Sequence, residues 1–251
     1  MSYVERVKTG IPGFDDLIEG GFPRDATIVL AGGPGTGKTI FGLQFLYNGA
    51  LQGEKGLYVT FEQSRFSLVK QAIQFGWNLI ELEEKKLLYF FDIPPSDLAH
   101  GTIDEIKKLA NDEGIKRIVI DSLTTLAINA PILTNMNNVS VKQVMEQSTI
   151  FSPPIVGDFV LKQFIYSFIS KMSRIPATSI LVSDTASIGD YNTIDTVSEY
   201  TADGVVLINF ETLGGAYSRT LIVRKMRQTK NDEDIHPLEI GKEGIVVHTI
   251  K

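Results

Sequence analysis

The sequence predicts an α/β protein with a mainly parallel, twisted sheet, helices on both faces and antiparallel strands at its C-terminal end. Up to residue 183, short runs of β-branched and aromatic residues alternate with helix-length stretches, which is typical of βαβ units. After residue 204, glycine and charged turns separate the runs and leave no room for a helix. This second pattern favours antiparallel strands at one edge of the sheet.

Eight strands are expected from these runs. Their predicted bounds are Thr27 to Ala31, Leu57 to Phe61, Leu87 to Asp92, Arg117 to Asp121 and Thr178 to Ser183 in the parallel part, and Val205 to Phe210, Arg219 to Val223 and Ile245 to Thr249 in the C-terminal part.

Residues 128–158 interrupt the alternation and are interpreted as an insertion. They contain four asparagines and three prolines and no convincing strand. A short helix is expected to present Val141, Val144, Met145 and Ser148 on one face, followed by turn or extended chain from Ser152 to Gly157. A loop of this length is either functional or a tolerated insertion.

The bulk composition fits a single domain over residues 1–251 of an ordinary globular protein. Its formal net charge of -6 provides no general attraction to nucleic acid or anionic lipid. The absence of cysteine excludes disulfides and cysteine-ligated zinc. Without a signal peptide or a long apolar segment, a cytoplasmic protein with no membrane association is expected.

The segment Gly32 to Thr39, GGPGTGKT, has the phosphate-binding pattern G-x-x-x-x-G-K-[ST] between an apolar strand and a helix-length run. Backbone N–H groups and the helix N-terminus would bind the phosphates of ATP. Lys38 would reach the β- and γ-phosphates, and the Thr39 hydroxyl would bind Mg²⁺. The predicted nucleotide-binding residues here are Gly33, Pro34, Gly35, Thr36, Gly37, Lys38, Thr39 and Ile40.

Two carboxylates at strand ends complete the predicted chemistry. Asp121 closes the apolar run RIVID and is the candidate second anchor of Mg²⁺. Glu62 follows the run YVTF and is the candidate base that orients or deprotonates water. Alone, either residue would also be compatible with an ordinary polar strand end.

Together these residues resemble the KaiC-type branch of the RecA/RadA superfamily of P-loop ATPases, over most of the chain. RVKTGIPGFDDLIEGGFP at Arg6 to Pro23, VTFEQS around Glu62 and QFGWNL at Gln74 to Leu79 carry the likeness. It implies a RecA-like fold and supports Glu62 as the base. Gln63 replaces the second glutamate of the family's pair, so slow hydrolysis is expected.

The resemblance also implies residues that act on a neighbouring subunit. RKMRQT at Arg224 to Thr229 resembles the family's K-x-R-x-T strand end, so Lys225 and Arg227 are candidate catalytic cations that act across the interface. By the same resemblance, further candidates for nucleotide contacts are Met226, Thr229 and Gln74, and those for a γ-phosphate sensor are Ser183 and Asp184. Asn231 stands where relatives often carry histidine.

Three functions remain open at this point. The first is a homo-oligomeric ATPase, expected as a hexameric ring, that signals its nucleotide state to an unknown protein partner. The second is a RadA paralogue that binds single-stranded DNA, and the third is a nucleotide-binding scaffold with little hydrolysis. DNA binding is disfavoured because residues 128–158 contain a single basic residue, Lys142, and residues 184–204 contain acidic residues and no Lys or Arg.

Overall fold

The computed structural model describes residues 4–99, 101–129, 153–185, 197–213 and 216–249. Within these residues, a two-stranded ribbon joins β1 (Arg6–Val7) to β2 (Phe22–Pro23), and nine further strands form one sheet in the order β11-β10-β9-β8-β3-β7-β6-β4-β5. The sheet strands are β3 (Thr27–Gly32), β4 (Gly56–Thr60), β5 (Leu88–Asp92), β6 (Arg117–Asp121), β7 (Thr178–Asp184), β8 (Gly204–Leu213), β9 (Ala216–Met226), β10 (His236–Gly241) and β11 (Gly244–Val247).

The sheet is parallel from β8 to β5 and antiparallel from β8 to β11. The predicted fold class is therefore confirmed. The chain crosses from β3 to β4 and returns through β6 and β7, so β3 and β4 are separated by two strands. The carboxyl ends of all six parallel strands lie on the same side of the sheet. The residues that follow these strands are therefore close together.

Helices cover both faces of the sheet. Their bounds are α1 (Lys38–Leu51), α2 (Arg65–Ile73), α3 (Leu79–Glu84), α4 (Thr102–Asp112), α5 (Leu123–Ile128), α6 (Pro153–Met172) and α7 (Val197–Thr201). One core lies under α1, α2 and α3, with Phe41 and Phe45 at its centre. The other core lies under α4, α5 and α6 and includes Phe164 and Phe168. This alternation of faces is what the βαβ pattern predicts.

Arg117, at the start of β6, is only 1% exposed and ties the sheet to α1. Its guanidinium lies 2.6 Å from the Glu54 carboxylate, donates to the carbonyl oxygen of Phe45 at 2.8 Å and stacks over the Phe45 ring. Gly49 makes room for it, since a Cβ at that position would lie 2.3 Å from Arg117 Nε. Paired and hydrogen-bonded in this way, the buried charge is tolerated.

Four elements differ from the sequence-based expectation. Pro153 to Gly157, expected as turn or extended chain, form the start of α6. Proline is accommodated there because the first helical N–H groups have no intrahelical acceptor and the ring already sets a helical φ. The ribbon strands β1 (Arg6–Val7) and β2 (Phe22–Pro23), together with β10, were not expected. The predicted short helix around Val141 to Ser148 lies outside the described residues.

Among the described residues, no helix combines the length and the apolar character needed to cross a lipid bilayer.

Candidate nucleotide-binding site

The phosphate-binding loop connects β3 to α1 at the carboxyl edge of the sheet. Two of its glycines are required by the geometry. A Cβ on Gly32 would lie 2.2 Å from the backbone oxygen of Ile208, and Gly37 precedes α1 with a φ of 110°. The first residues of α1 therefore direct their N–H groups and the positive end of the helix dipole toward the loop, as an anion-binding site requires.

Lys38 lies across this loop rather than in solvent. Its Nζ donates to the carbonyl oxygens of Gly32 at 2.7 Å and Gly33 at 2.9 Å, and it lies 3.0 Å from Asp184 Oδ1 at the end of β7. The Asp184 backbone N–H in turn donates to Thr124 Oγ1 at 2.9 Å. The ammonium group is thus held beside the phosphate-binding loop, and Asp184, the candidate sensor, contacts it directly.

Thr39 and Asp121 meet at the predicted magnesium position. The Thr39 hydroxyl donates to Asp121 Oδ2 at 2.9 Å, although α1 and β6 are distant in sequence. A hydroxyl and a carboxylate are the oxygen donors that Mg²⁺ selects, and such sites usually leave other positions to water and phosphate. The residues present therefore fit Mg²⁺, with Thr39 and Asp121 as the pair that would hold it.

A second hydroxyl reaches the same carboxylate from beneath. Tyr58 in β4 is fully buried and donates to Asp121 Oδ2 at 2.6 Å. Burial raises the pKa of Tyr58 well above its usual value, and the adjacent Asp121 raises it further, so the phenol remains a proton donor. Burial also raises the pKa of Asp121, while the hydrogen bonds from Tyr58 and Thr39 act in the opposite direction.

Glu62 lies just beyond the end of β4. Its Oε1 accepts a short hydrogen bond from Thr125 and lies 3.5 Å from Ser122 Oγ. Both hydroxyls belong to the first turn of α5, which Ser122 caps by accepting from the backbone N–H of Thr125. A carboxylate oriented by two fixed hydroxyls, and exposed to solvent on its remaining side, has the position that a general base needs.

Two adjoining pockets flank the phosphate-binding loop. One, of about 240 Å³, brings together the predicted chemical groups and is lined by Pro34, Lys38, Thr39, Thr60, Glu62, Gln63, Asp121, Ser122 and Asp184. The other, of about 270 Å³, extends along the start of α1 and is lined by Gly35, Thr36, Gly37, Lys38, Thr39, Ile40, Gln63, Gln71, Arg219 and Ile240. Lys38, Thr39 and Gln63 line both pockets, and the two together are called the groove.

Lys225 and Arg227 lie near the amino ends of the parallel strands, on the side of the sheet opposite to the phosphate-binding loop. Met226 pairs with Gly204, which pairs with Ile28, four residues before the start of the loop at Gly32. At 3.3 Å per strand residue, Met226 is therefore separated from Gly32 by about 13 Å along the strands. Neither cation lines the loop pockets, so neither serves the phosphates of its own chain in this arrangement.

Both cations contact the end of α7. Lys225 Nζ donates to the carbonyl oxygens of Glu199, Tyr200 and Ala202 at 3.0, 3.2 and 2.7 Å. Burial lowers the pKa of Lys225, and the neighbouring Arg227 lowers it further. Arg227 pairs with Asp203 at 3.1 Å. These contacts fix the direction of both side chains and cap a helix C-terminus, as cations commonly do.

The remaining candidates are dispersed. Met226 is 4% exposed and packs in the core. The Thr229 hydroxyl accepts from Arg6 at 2.5 Å. Gln74 follows the last residue of α2 and does not line the groove, whereas Gln71, one turn earlier, does. The nucleotide contacts of Met226, Thr229 and Gln74 remain predictions.

The fold brings to the site several residues that the sequence did not predict, which include Arg219 and Tyr58 as well as Ser122 and Thr125 beside Glu62. Arg219 in β9 donates to the carbonyl oxygen of Gly35 at 3.2 Å and stacks over Phe210, so it reaches the loop of its own chain. Tyr58 reaches Asp121 from the neighbouring strand. Alternation along β4 does place Tyr58 on a definite face, but its diagonal position to Asp121 becomes visible only with the register of β4 against β6.

Comparisons with known proteins show the family and the fold of the chain. The family model described as "ATPase: KaiC" matches residues 7–152 and 155–251. Among curated proteins, the chain is similar to a UPF0273 protein of Aeropyrum pernix, with 33% identity over 99% of this chain and 95% of the relative. UPF0273 protein MJ1359 of Methanocaldococcus jannaschii is 34% identical over 99% of this chain and 98% of the relative.

A solved structure is similar over nearly the whole chain. It is that of the KaiC-like protein PH0186 from Pyrococcus horikoshii OT3, with a TM-score of 0.79 and 30% identity, covering 98% of this chain and all of that one.

Proposed function

The chain belongs to the KaiC family of RecA-like ATPases, and we propose that it is an oligomeric, magnesium-dependent ATPase whose nucleotide state regulates a protein partner. Nucleotide binding follows from the family. The observation that supports hydrolysis is the single pocket that collects Lys38, Thr39, Glu62 and Asp121. These are the cation, the metal anchors and the base that phosphoryl transfer to water requires.

The roles follow from the geometry of the groove. Lys38, held at the loop, neutralises charge on the terminal phosphates. Thr39 and Asp121 would hold Mg²⁺, which would supply stabilisation of the negative charge that develops on the phosphates. Glu62, fixed by Thr125, orients a water molecule and accepts its proton. Arg219 lies along the groove beside Gly35 and adds positive charge from the same chain.

Assembly is supported by the placement of Lys225 and Arg227. They are too far from the loop of their own chain, yet their direction is fixed by the end of α7. Because cations supplied by a neighbour stabilise transition-state charge only in an assembly, they would couple hydrolysis to oligomerisation. We propose a hexameric ring as this assembly, because the sequence resemblance implies that number of subunits.

The test of this proposal is Lys38→Ala, with Lys108→Ala as the control. Lys108 lies on the exposed surface of α4 and pairs only with Asp112 among the described residues, so its loss removes an equal charge far from the groove. We expect Lys38→Ala to weaken ATP binding by at least about ten-fold in isothermal titration, as loss of a charge-assisted contact implies, and Lys108→Ala to leave it unchanged.

Steady-state phosphate release then separates an ATPase from a nucleotide-binding scaffold. Turnover in the parent that is lost in Glu62→Gln, with ATP binding retained, would support hydrolysis. Parent protein that binds ATP and releases no phosphate above a protein-free blank would contradict it. Equal ATP affinity in Lys38→Ala and the parent would place the nucleotide elsewhere.

A further inference from the structure

Two hydroxyls donate hydrogen bonds to Asp121, and one of them, that of Thr39, is also expected to bind the metal. Thr39 Oγ1 and Tyr58 Oη both donate to Oδ2, at 2.9 and 2.6 Å. The described residues place no other side-chain donor on this carboxylate. Asp121 itself lines the pocket that Lys38 and Glu62 also line, and among the described residues its Oδ1 accepts no side-chain hydrogen bond.

The Tyr58 contact has the length of a charge-assisted hydrogen bond. Bonds from a hydroxyl to a carboxylate oxygen are about 2.5–2.7 Å long and roughly twice as strong as bonds between neutral groups. Thr39 is itself one of the residues expected to hold Mg²⁺, so its hydroxyl has two tasks. Tyr58 is buried completely and lines neither pocket.

The Tyr58 ring has little freedom to move. In the sheet it lies between Val119 of β6 and Phe90 of β5, with its ring centroid 6.0 Å from that of Phe90. Helix α1 closes over it at Gly42, where an added Cβ would lie 3.8 Å from the Tyr58 ring and 2.9 Å from Val119. The hydroxyl is thus presented to Asp121 from a fixed position.

From these contacts we infer that Tyr58 is a positioning residue for the magnesium site, and that its hydroxyl orients the Asp121 carboxylate for the metal from beneath the site. This inference rests on the proposed function. Outer hydrogen-bond partners of metal ligands restrict the ligand's rotation and typically contribute 10–100-fold to metal affinity. Tyr58 lines neither pocket of the groove, so its loss should weaken metal binding and leave the binding of metal-free nucleotide unchanged.

The test is Tyr58→Phe, which removes one oxygen and keeps the ring. Tyr89→Phe is the matched control. Tyr89 lies in the adjacent strand β5, and its hydroxyl donates to the Glu113 carboxylate at 2.7 Å, away from the groove. Each variant is measured for ADP binding by titration calorimetry in EDTA, and for Mn²⁺ binding to the ADP-bound protein by electron paramagnetic resonance. Thermal unfolding of both variants verifies that each is folded.

We expect Tyr58→Phe to weaken Mn²⁺ binding about ten-fold and to leave the affinity for metal-free ADP unchanged. A general loss of structure would instead weaken the binding of both. Tyr89→Phe should match the parent in both measurements. Mn²⁺ affinity in Tyr58→Phe within two-fold of the parent, or an equal loss in both variants, would overturn the inference. A parent that binds ADP but no Mn²⁺ would overturn the proposed magnesium site, and the inference with it.

Discussion

The placement of Lys225 and Arg227 makes a quantitative prediction about mixed assemblies. Each active site would take its base, Glu62, from the chain that holds the nucleotide and its arginine, Arg227, from the neighbour. Glu62→Gln and Arg227→Ala should each lose phosphate release when assayed alone. Mixed after dissociation, they should regain it, because some interfaces pair an intact base with an intact arginine.

The recovered rate of phosphate release follows from the base and the arginine being supplied by different chains at each interface. An interface is active only when the nucleotide-holding chain is Arg227→Ala, with its base intact, and the neighbour is Glu62→Gln. At equal amounts and random order, about a quarter of head-to-tail interfaces meet both conditions, so about a quarter of the parent rate per site is expected. The rate should fall when either variant is in excess.

Two control mixtures make the outcome specific. Glu62→Gln mixed with Lys38→Ala should stay inactive, because both defects lie in the nucleotide-holding chain and no interface is intact. Lys225→Ala mixed with Arg227→Ala should also stay inactive, because both residues act from the neighbour. Phosphate release is the assay, and energy transfer between labelled chains verifies subunit exchange. No recovery despite verified exchange would refute the reasoning and indicate a site completed within one chain.

Three further predictions concern other parts of the molecule. Thr125→Val keeps the side-chain shape but removes the hydroxyl that orients Glu62; it should lower kcat about ten-fold with ATP affinity unchanged, and an unchanged kcat would remove Thr125 from the mechanism. Gly49→Ala places a methyl group against the buried Arg117 and should lower the free energy of unfolding by about 2–4 kcal/mol in urea titration. Its control is Gly101→Ala, where the new methyl would meet nothing closer than 3.9 Å, and equal stability of the two would contradict the packing argument. Fluorescence anisotropy with labelled single-stranded DNA should show weak binding at near-physiological salt, because residues 184–204 contain no Lys or Arg; tight binding that weakens steeply with salt would favour a recombination role.

The local parts of the fold and site were predictable because their signals are local. The loop from Gly32 to Thr39 is defined by residue types at fixed spacing between a strand and a helix, and both neighbours are where the sequence predicts them. Asp121 and Glu62 follow apolar runs, and parallel strands bring such ends to a common edge. The eight predicted strands all exist, with ends displaced by a few residues.

The sequence predicted the start of α6 and the strand β10 less well, because two patterns conflict in each segment. Pro153 and Pro154 are breakers inside a helix but acceptable at its beginning, and the sequence does not show which position they occupy. Similarly, β10 contains a proline, a glutamate and a glycine and has weak strand character of its own. It forms because β9 and β11 pair with it on both sides.

By itself the sequence determined the fold class, the phosphate-binding loop and the two strand-end carboxylates. Tertiary structure alone decided which strands are neighbours, and with them the contacts of Tyr58 with Asp121, Arg219 with Gly35 and Lys225 with the end of α7. The physical reason is that residue spacing along the chain specifies turns and strand ends, whereas register between strands far apart in sequence depends on how both faces of the whole sheet are buried.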